Sequence, residues 1–572
     1  MATENSTATA DTDQSKLQQW APLIAVSLAM FIVVDSTMMN VAISAIVRDL
    51  KTNVTAVQGA ISIYSLVMAS LMLAGGKLGA IRGVKRMFTG GLIIYGVGTL
   101  LAAISWNVGI LMLGWSILEG IAAALLLPLA FTLIVANYED RKQRAFAFAV
   151  LGGVQASAAA VGPILGGVLT TFASWRWGFG GQVLVVLVTF FFLPYLDELV
   201  TAEEGATLDW GGTLLSILSL GSIVTGFLLA GQYGWWTARR PFVIGGVQFN
   251  PAGLSPTPLL VALGVTLVVV FIHWQFRREH RGEMPLLHPR IFSNGRFLSG
   301  VSTYTVRSVF LAGFLFVVPI FLQSALEFNA FESGLAILPF SLATFVVSLG
   351  SSSLSNRIAP KRLIQFGLVT IGLGLVLLYS VTSLTMTITT MIVPMSIIGI
   401  GVGLMIAQLV NLTLSTVEPD DTPEASGVTN AFDSLGNALG TAVIGSALFA
   451  FFYGGVVDGV LRAGQVRVTP SERESLVVLL EDASKVVTPR EQEAFIASLP
   501  PDVQAGLSEL FNVTMINAQQ ETLLLIMLFV LVTLLLSSFL PKHHLRETNP
   551  DVQVEIEEER IRDRDVEAVG DD

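Results

Sequence analysis

Fourteen times along this chain, a run of about twenty apolar residues is closed by a short polar break, and a helix of that length crosses a lipid hydrocarbon core. No water reaches that core to satisfy backbone N–H and C=O groups, so each run has to fold as a helix. The runs lie at 20–47, 57–79, 87–104, 109–136, 145–171 and 179–196, then 210–230 and 259–276, then 297–323, 334–354, 363–380, 387–415, 425–452 and 520–540. Composition agrees. Charged residues make up 13% of the chain and hydrophobic ones 53%, at a mean hydropathy of +0.70, more apolar surface than a water-soluble domain can hide. The expected fold class is an all-α polytopic membrane protein.

Basic residues orient the array. If the N-terminus is cytoplasmic, the inner loops carry Arg82, Lys85 and Arg86; Arg141, Lys142 and Arg144; Arg277, Arg278, Arg281, Arg290 and Arg296; and Arg357, Lys361 and Arg362. An even number of spans returns the C-terminus to the same side, so both termini are expected in the cytoplasm. Residues 1–19 lack the basic region and short apolar core of a cleaved signal and read as a cytoplasmic tail. Residues 541–572 form a second, acidic tail. Between 453 and 519 lies the one long outer loop. Within it, Thr469-Pro470-Ser471-Glu472 and Thr488-Pro489-Arg490-Glu491 each place Thr at an N-cap, Pro at the first helical position and Glu where a capping box needs it. A helical extracytoplasmic cap is expected there.

Several classes are disfavoured by what the chain lacks. It has no cysteine, and its five histidines have no metal-ligand spacing, so neither a metal nor another cofactor is expected. The net charge of −11 does not suit a nucleic-acid partner. The sequence has no G-x-x-x-x-G-K-[ST] nucleotide loop, no H-E-x-x-H and no recognisable triad, so an ATP-driven pump and an integral-membrane enzyme are both disfavoured.

Six spans, two more, then another six suggest duplicated halves around an inserted pair, with bundles at 20–196 and 297–540 and the extra helices within 210–276. Four motifs add to this. Asp35-Ser36-Thr37-Met38-Met39-Asn40-Val41-Ala42 lies in the first span. Gly76-Lys77-Leu78-Gly79-Ala80-Ile81-Arg82-Gly83-Val84-Lys85-Arg86 follows the second. Gly162-Pro163-Ile164-Leu165-Gly166-Gly167 lies in the fifth, and Trp175-Arg176-Trp177-Gly178-Phe179 comes just after it. In order and spacing these resemble the major facilitator superfamily, in particular its fourteen-span drug:proton antiporters, over nearly the whole chain. The stretches 319–323 and 333–339 are similar to that family too. The chain also departs from the pattern. The loop motif's aspartate is Ala80, and its counterpart in the second half is Asn356. The family's R-x-x-Q-G falls on Ser116-Ile117-Leu118-Glu119-Gly120, so the arginine linked to proton coupling is missing and its glutamine is replaced by an acid.

Ionisable residues deep in a bilayer cost several kcal/mol on most scales, so they face a cavity or a partner. Asp35, Glu119, Arg307 and Asp433 are such residues. The resemblance implies that spans one, four, nine and twelve line a central cavity. Asp35, Glu119 and Arg307 fall on three of these, and Gln408 and Asn411 on the fourth. Burial favours the neutral form of a carboxylate, which suits Asp35 and Glu119 to load and release protons. Arg307 is expected as a counter-charge to one of them; the alternative is a fixed structural Asp35–Arg307 pair. Asp433, where the family usually has a basic residue, reads first as the partner of another helix. Gln155 is a further cavity candidate. Gly76, Arg82 and Gly83 in the loop motif, with Gly162, Pro163, Gly166 and Gly167 in the fifth span, are candidates for gating or for close helix packing, which share one signature. Trp106, Trp175, Trp177, Trp235 and Trp236 read as interface anchors before any aromatic cage.

The expected function is secondary transport across the cell membrane: a monomer exporting drugs or other amphipathic or cationic small molecules by alternating access, with protons as the driving ion by resemblance. One rival is an uncoupled facilitator, which Ala80 and Ser116 favour. The other is a non-transporting scaffold or receptor, for which the outer loop and acidic tail would be partner surfaces.

Overall fold

The computed structural model describes residues 19–541, apart from 34–35, most of 139–163, 198–207, 240–241, 245–246, 250–252, 284, 356–357, 418–421 and 487–499. Among the described residues, twelve helices are long and apolar enough to cross a membrane. The first span adds Gln19–Val33 followed by Ser36–Asp49, while most of the fifth lies outside the described residues. The first half continues with Val54–Arg82, Val84–Ala103, a fourth span built from Val108–Leu111, Met112–Glu119 and Gly120–Asn137, and a sixth at Arg176–Phe192. The inserted pair is Trp210–Tyr233 and Pro256–His280. The second half runs Gly295–Ala325, Ala330–Ser355, Pro360–Val381, Ile388–Leu414, Thr422–Ala463 and Pro501–Ser537. The departure from an all-helical fold among these residues lies between spans seven and eight, a hairpin of Phe242–Ile244 paired antiparallel with Val247–Phe249 and a single β-bridge from Thr237 to Leu254.

Hydropathy located these twelve helices but not every helix end. Span thirteen runs on to Ala463 and span fourteen starts at Pro501, so both protrude into the stretch read as a loop. Between them stands a cap helix, Pro470–Val486. Its start is a capping box: the Thr469 N–H donates to Glu472 Oε2 at 2.8 Å, and the Glu472 N–H donates to Thr469 Oγ1 at 3.4 Å. Arg473 then grips Asp458 of span thirteen through two bonds of 2.6 and 2.8 Å. The second start, at Thr488, lies outside the described residues.

The Trp175-Arg176 motif acts as a rivet between helix ends. Trp175 Nε1 donates to Asp49 at 2.9 Å, Arg176 pairs with the same carboxylate, and its Nη2 donates to the Ser105 carbonyl at 2.6 Å. This ties spans one, three and six together. Trp175 is accordingly buried, whereas Trp106, Trp177, Trp235 and Trp236 are exposed, as interface anchors are.

The inserted pair covers one seam between the halves. Span seven packs along both span two and span thirteen, with Leu220 and Leu228 against Ala69, Leu435 and Ala438. The pair is locked at its polar end by the buried Asp209, which accepts from the Gly212 N–H, Trp274 Nε1 and Gln275 Nε2 at 2.8, 3.1 and 2.9 Å. Elsewhere the halves touch where spans one, five and nine end. Gln323 Nε2 donates to the Val41 carbonyl at 3.0 Å, and the Phe331 N–H to Thr171 Oγ1 at 3.0 Å. Gln58 Nε2 reaches the Thr441 carbonyl at 2.7 Å.

Candidate functional site

Span one supplies one wall of an open cavity of about 620 Å³. Trp20, Leu23, Ile24, Ser27, Leu28 and Phe31 line it, with Val150 and Val154 of span five opposite. The span-one residues recur at helical spacing, so they form one face. Trp20 is held by stacking on Tyr138 of span four at 5.7 Å. The Tyr138 hydroxyl donates to the Gln19 carbonyl at 3.0 Å and accepts the Leu23 N–H at 3.2 Å, which fixes the start of span one. The cavity is lined almost wholly by apolar side chains; the hydroxyl of Ser27, its one polar lining residue, is itself buried.

Further along span one, two tyrosines close on consecutive carbonyls. Tyr95 Oη of span three donates to Ile32 at 2.8 Å and Tyr64 Oη of span two to Val33 at 3.3 Å. Thr99 Oγ1 donates to Gln182 Oε1 at 2.8 Å and links span three to span six. Asp35 follows this anchored segment in sequence but lies outside the described residues, as do Gln155, Pro163 and the side chain of Asn411. Sequence reading passed over Tyr64 and Tyr95. The available signal was a phenol in an otherwise apolar span, since a buried hydroxyl needs an acceptor.

Glu119 is buried at the end of a π-helical stretch, Met112–Glu119. Each π turn re-phases the residues after it, and such turns recur at functional sites. Its side chain lies against Gly98 of span three, where an added Cβ would come within 3.1 Å of Glu119 Cγ. Ser116 is buried too and donates to the Ala60 carbonyl of span two at 2.8 Å.

Arg307 pairs with Asp433 of span thirteen rather than with Glu119: its Nη2 donates to Asp433 Oδ1 at 2.9 Å. Ser308 Oγ donates to the same oxygen, and the guanidinium lies over the Tyr304 ring, 4.2 Å from its centroid. Gln408 is buried, with its Nε2 3.1 Å from the Ser351 carbonyl of span ten. The described candidates therefore divide among three places and form no single constellation.

The glycine motifs act by close approach. A Cβ on Gly166 would lie 2.6 Å from the Met38 carbonyl oxygen, and one on Gly167 2.7 Å from that of Ala330 in the other half. Gly162 is buried and helical. In the loop motif, the tight contact between spans two and four falls on Gly75, 2.2 Å from the Ala124 carbonyl oxygen, whereas Gly76 has ordinary clearance. Arg82 ends span two in an exposed position, and Gly83 turns the chain at φ +97°, a region that disfavours any side chain.

The profile of the Major Facilitator Superfamily matches residues 25–441. Among curated relatives, the puromycin resistance protein pur8 of Streptomyces alboniger is 29% identical over 435 residues, covering 74% of this chain and 80% of that protein. The multidrug efflux pump LfrA of Mycolicibacterium smegmatis is 26% identical over 452 residues, 79% of this chain and 84% of the pump. Among solved structures, a bacterial homolog of the human lysosomal transporter Spinster, inward-facing and unoccupied, matches with a TM-score of 0.55 at 15% identity, covering 91% of this chain and 97% of its own. An auto-inhibited POT family peptide transporter matches at 0.54 and 13%, covering 91% and 96%. At such identities the likeness is one of fold.

Proposed function

Because this chain belongs to the Major Facilitator Superfamily, whose members are membrane transporters and not enzymes, we propose that it exports amphipathic or lipophilic small molecules, drugs among them, across the plasma membrane. The cavity beside span one carries this reading. Its walls are aliphatic and aromatic, which suits cargo that partitions into lipid. Relatives named for puromycin resistance and for multidrug efflux support the same cargo class. Both termini face the cytoplasm in this scheme, and the protein works as a monomer by rocking its two halves. Protons drive it, with Asp35 and Glu119 as carriers.

Uncoupled facilitation is the second reading, and Ser116 favours it. Where the family carries an arginine, this chain spends the position on a helix-to-helix hydrogen bond.

Inside-out vesicles with a lumenal pH dye separate the two. Addition of ethidium or another lipophilic cation to the parent chain is expected to release lumenal protons, and Asp35→Asn to abolish the signal. Cargo uptake with no pH response in either form would establish the facilitator, and no uptake at all would sink both.

A further inference from the structure

Among the described residues, Arg307–Asp433 is the one ion pair at membrane depth. Arg307 lies about 18 Å along its helix and Asp433 about 16 Å along its own, near the middle of a hydrocarbon core of about 30 Å. The other ion pairs sit at helix ends or in loops.

The two partners are not equally enclosed. The arginine side chain is 8% exposed, and its Nε is buried without a hydrogen-bond acceptor. The aspartate side chain is 27% exposed, with Oδ1 taking both Arg307 and Ser308. Arginine keeps its proton in a protein, so only the carboxylate can change charge, and it is the carboxylate that has an open side. A proton on Asp433 removes the one carboxylate that pairs with this buried cation among the described residues. Arg307 would then need another acceptor, and its unfilled Nε means that it is under-satisfied already. Two charge states of one pair therefore favour two arrangements of the side chains around it.

Among the described residues, Arg307 is the one cation paired with Asp433. Span nine presents Arg307, Tyr304 and Ser308 to it. Spans seven and twelve carry no charged residue between their ends, span two carries only Lys77, in its last two turns, and span fourteen carries none after Glu521. Span four carries only Glu119, seated on its span-three side. On span thirteen itself, Glu424 and Asp458 lie towards the helix ends. The pair's position is fixed by close packing. A Cβ on Gly436 would meet the Thr305 carbonyl oxygen at 2.5 Å, and one on Gly440 that of Val309 at 2.1 Å.

We propose that Asp433 is the proton-binding carboxylate of the second half, with Arg307 as the fixed counter-charge that converts its protonation into a conformational preference. The proposal rests on the transport reading above and extends it. Asp433 then adds a proton site in the second half to the carriers Asp35 and Glu119 of the first, so cargo in the span-one cavity need not compete with it for one carboxylate. Uncharged cargo is coupled as well as cationic cargo.

The test uses the full chain in liposomes under an imposed pH gradient, with ethidium and an uncharged lipophilic dye as cargo. Parent, Asp35→Asn, Asp433→Glu and the charge-neutral double variant Arg307→Gln/Asp433→Asn are compared, each also for cargo exchange without a gradient. The double variant is expected to keep exchange while gradient-driven accumulation of both dyes falls at least about tenfold. Asp433→Glu is expected to keep accumulation with a displaced pH midpoint, which holds the test open should the double variant not fold. Accumulation by the double variant at the parent level, or a midpoint unmoved in Asp433→Glu, would overturn the proposal and leave export standing. Loss of accumulation only in Asp35→Asn would place the proton on the first half instead. A parent that exchanges cargo but never responds to the gradient would remove this proposal together with proton coupling.

Discussion

In the first half, spans three and four cross where Gly98 and Gly114 bring backbone against backbone; a Cβ on Gly98 would lie 2.7 Å from the Gly114 carbonyl oxygen. In the second, spans eleven and twelve cross at Gly367 and Gly401 with the corresponding distance at 2.6 Å. The halves share a second device. Lys85, opening span three, donates to the Leu196 carbonyl beyond the end of span six at 2.5 Å. Lys361, opening span eleven, donates to the Ser538 and Leu540 carbonyls at the end of span fourteen, at 2.6 and 3.0 Å. Polar interiors are not repeated in this way. Among the described residues, the interior of the first half is held by neutral bonds from Tyr64, Tyr95, Thr99 and Ser116, whereas the second adds a charge pair to neutral bonds such as Gln408 to Ser351. Close helix crossings and satisfied helix ends are needs of any six-helix bundle in lipid, so duplication preserves them. Chemistry is needed once, and the two copies are free to diverge in it.

The largest expected effect tests that divergence. Asp433→Ala leaves Arg307 charged and enclosed, and should cost about 3–5 kcal/mol. Removing both charges together should cost far less, so the double-mutant cycle on thermal unfolding in detergent should be strongly non-additive. The first-half counterpart is neutral: Thr99→Val should cost about 1 kcal/mol. Equal costs in the two halves would break the comparison.

Next come the shared crossings. Gly98→Ala and Gly367→Ala each push a methyl group into a backbone carbonyl and should cost about 1–3 kcal/mol apiece. Gly90→Ala in span three and Gly372→Ala in span eleven meet nothing within 4 Å and should be neutral or stabilising by up to about 1 kcal/mol. The same melting curves decide it. A harmless Gly367→Ala beside a damaging Gly98→Ala would mean that the halves are not packed alike.

These contrasts explain what was legible in the sequence. Each span announces itself because a lipid-crossing helix must be apolar for its whole length, and 297–323 indeed lies inside Gly295–Ala325. Helix ends beyond the lipid have no such constraint, which is why the polar extension of span thirteen to Ala463 was read as loop. An intramembrane arginine is equally visible, but its partner is not. That depends on how span thirteen is rotated, and Gly436 and Gly440 set the rotation through contacts with span nine. Glu119 was placed on the cavity side of span four by the family's pattern, with nothing to reveal the π-helical turn that ends on it.

Lysine clamps give a smaller effect. Lys85→Gln and Lys361→Gln each remove a cation from carbonyls at a helix C-terminus, where it is worth about 0.3–1 kcal/mol. If the clamps are true counterparts, the two losses should match in denaturant titrations and shrink together as salt is raised.

The smallest effect concerns a feature of one half alone. Spans five and six join through a short turn, whereas spans thirteen and fourteen are separated by the cap helix. Glu472 in its capping box accepts from the Thr469 N–H and hydroxyl, and these bonds hold its carboxyl below the ordinary glutamate range. A depressed folded-state value means that the contribution to the cap is complete above the unfolded glutamate range, about pH 4.3, and fades as pH falls through the folded value. Amide exchange across Pro470–Val486 should therefore quicken on acidification, with the membrane helices unaffected. In Glu472→Gln the helix should exchange faster at neutral pH and lose most of its pH dependence. Thr469→Ala should mimic it, at a local cost of about 1 kcal/mol. Quickening of spans three and eleven along with the cap would mean that acid acts on the shared scaffold, and the capping box would lose its place as a device of the second half alone.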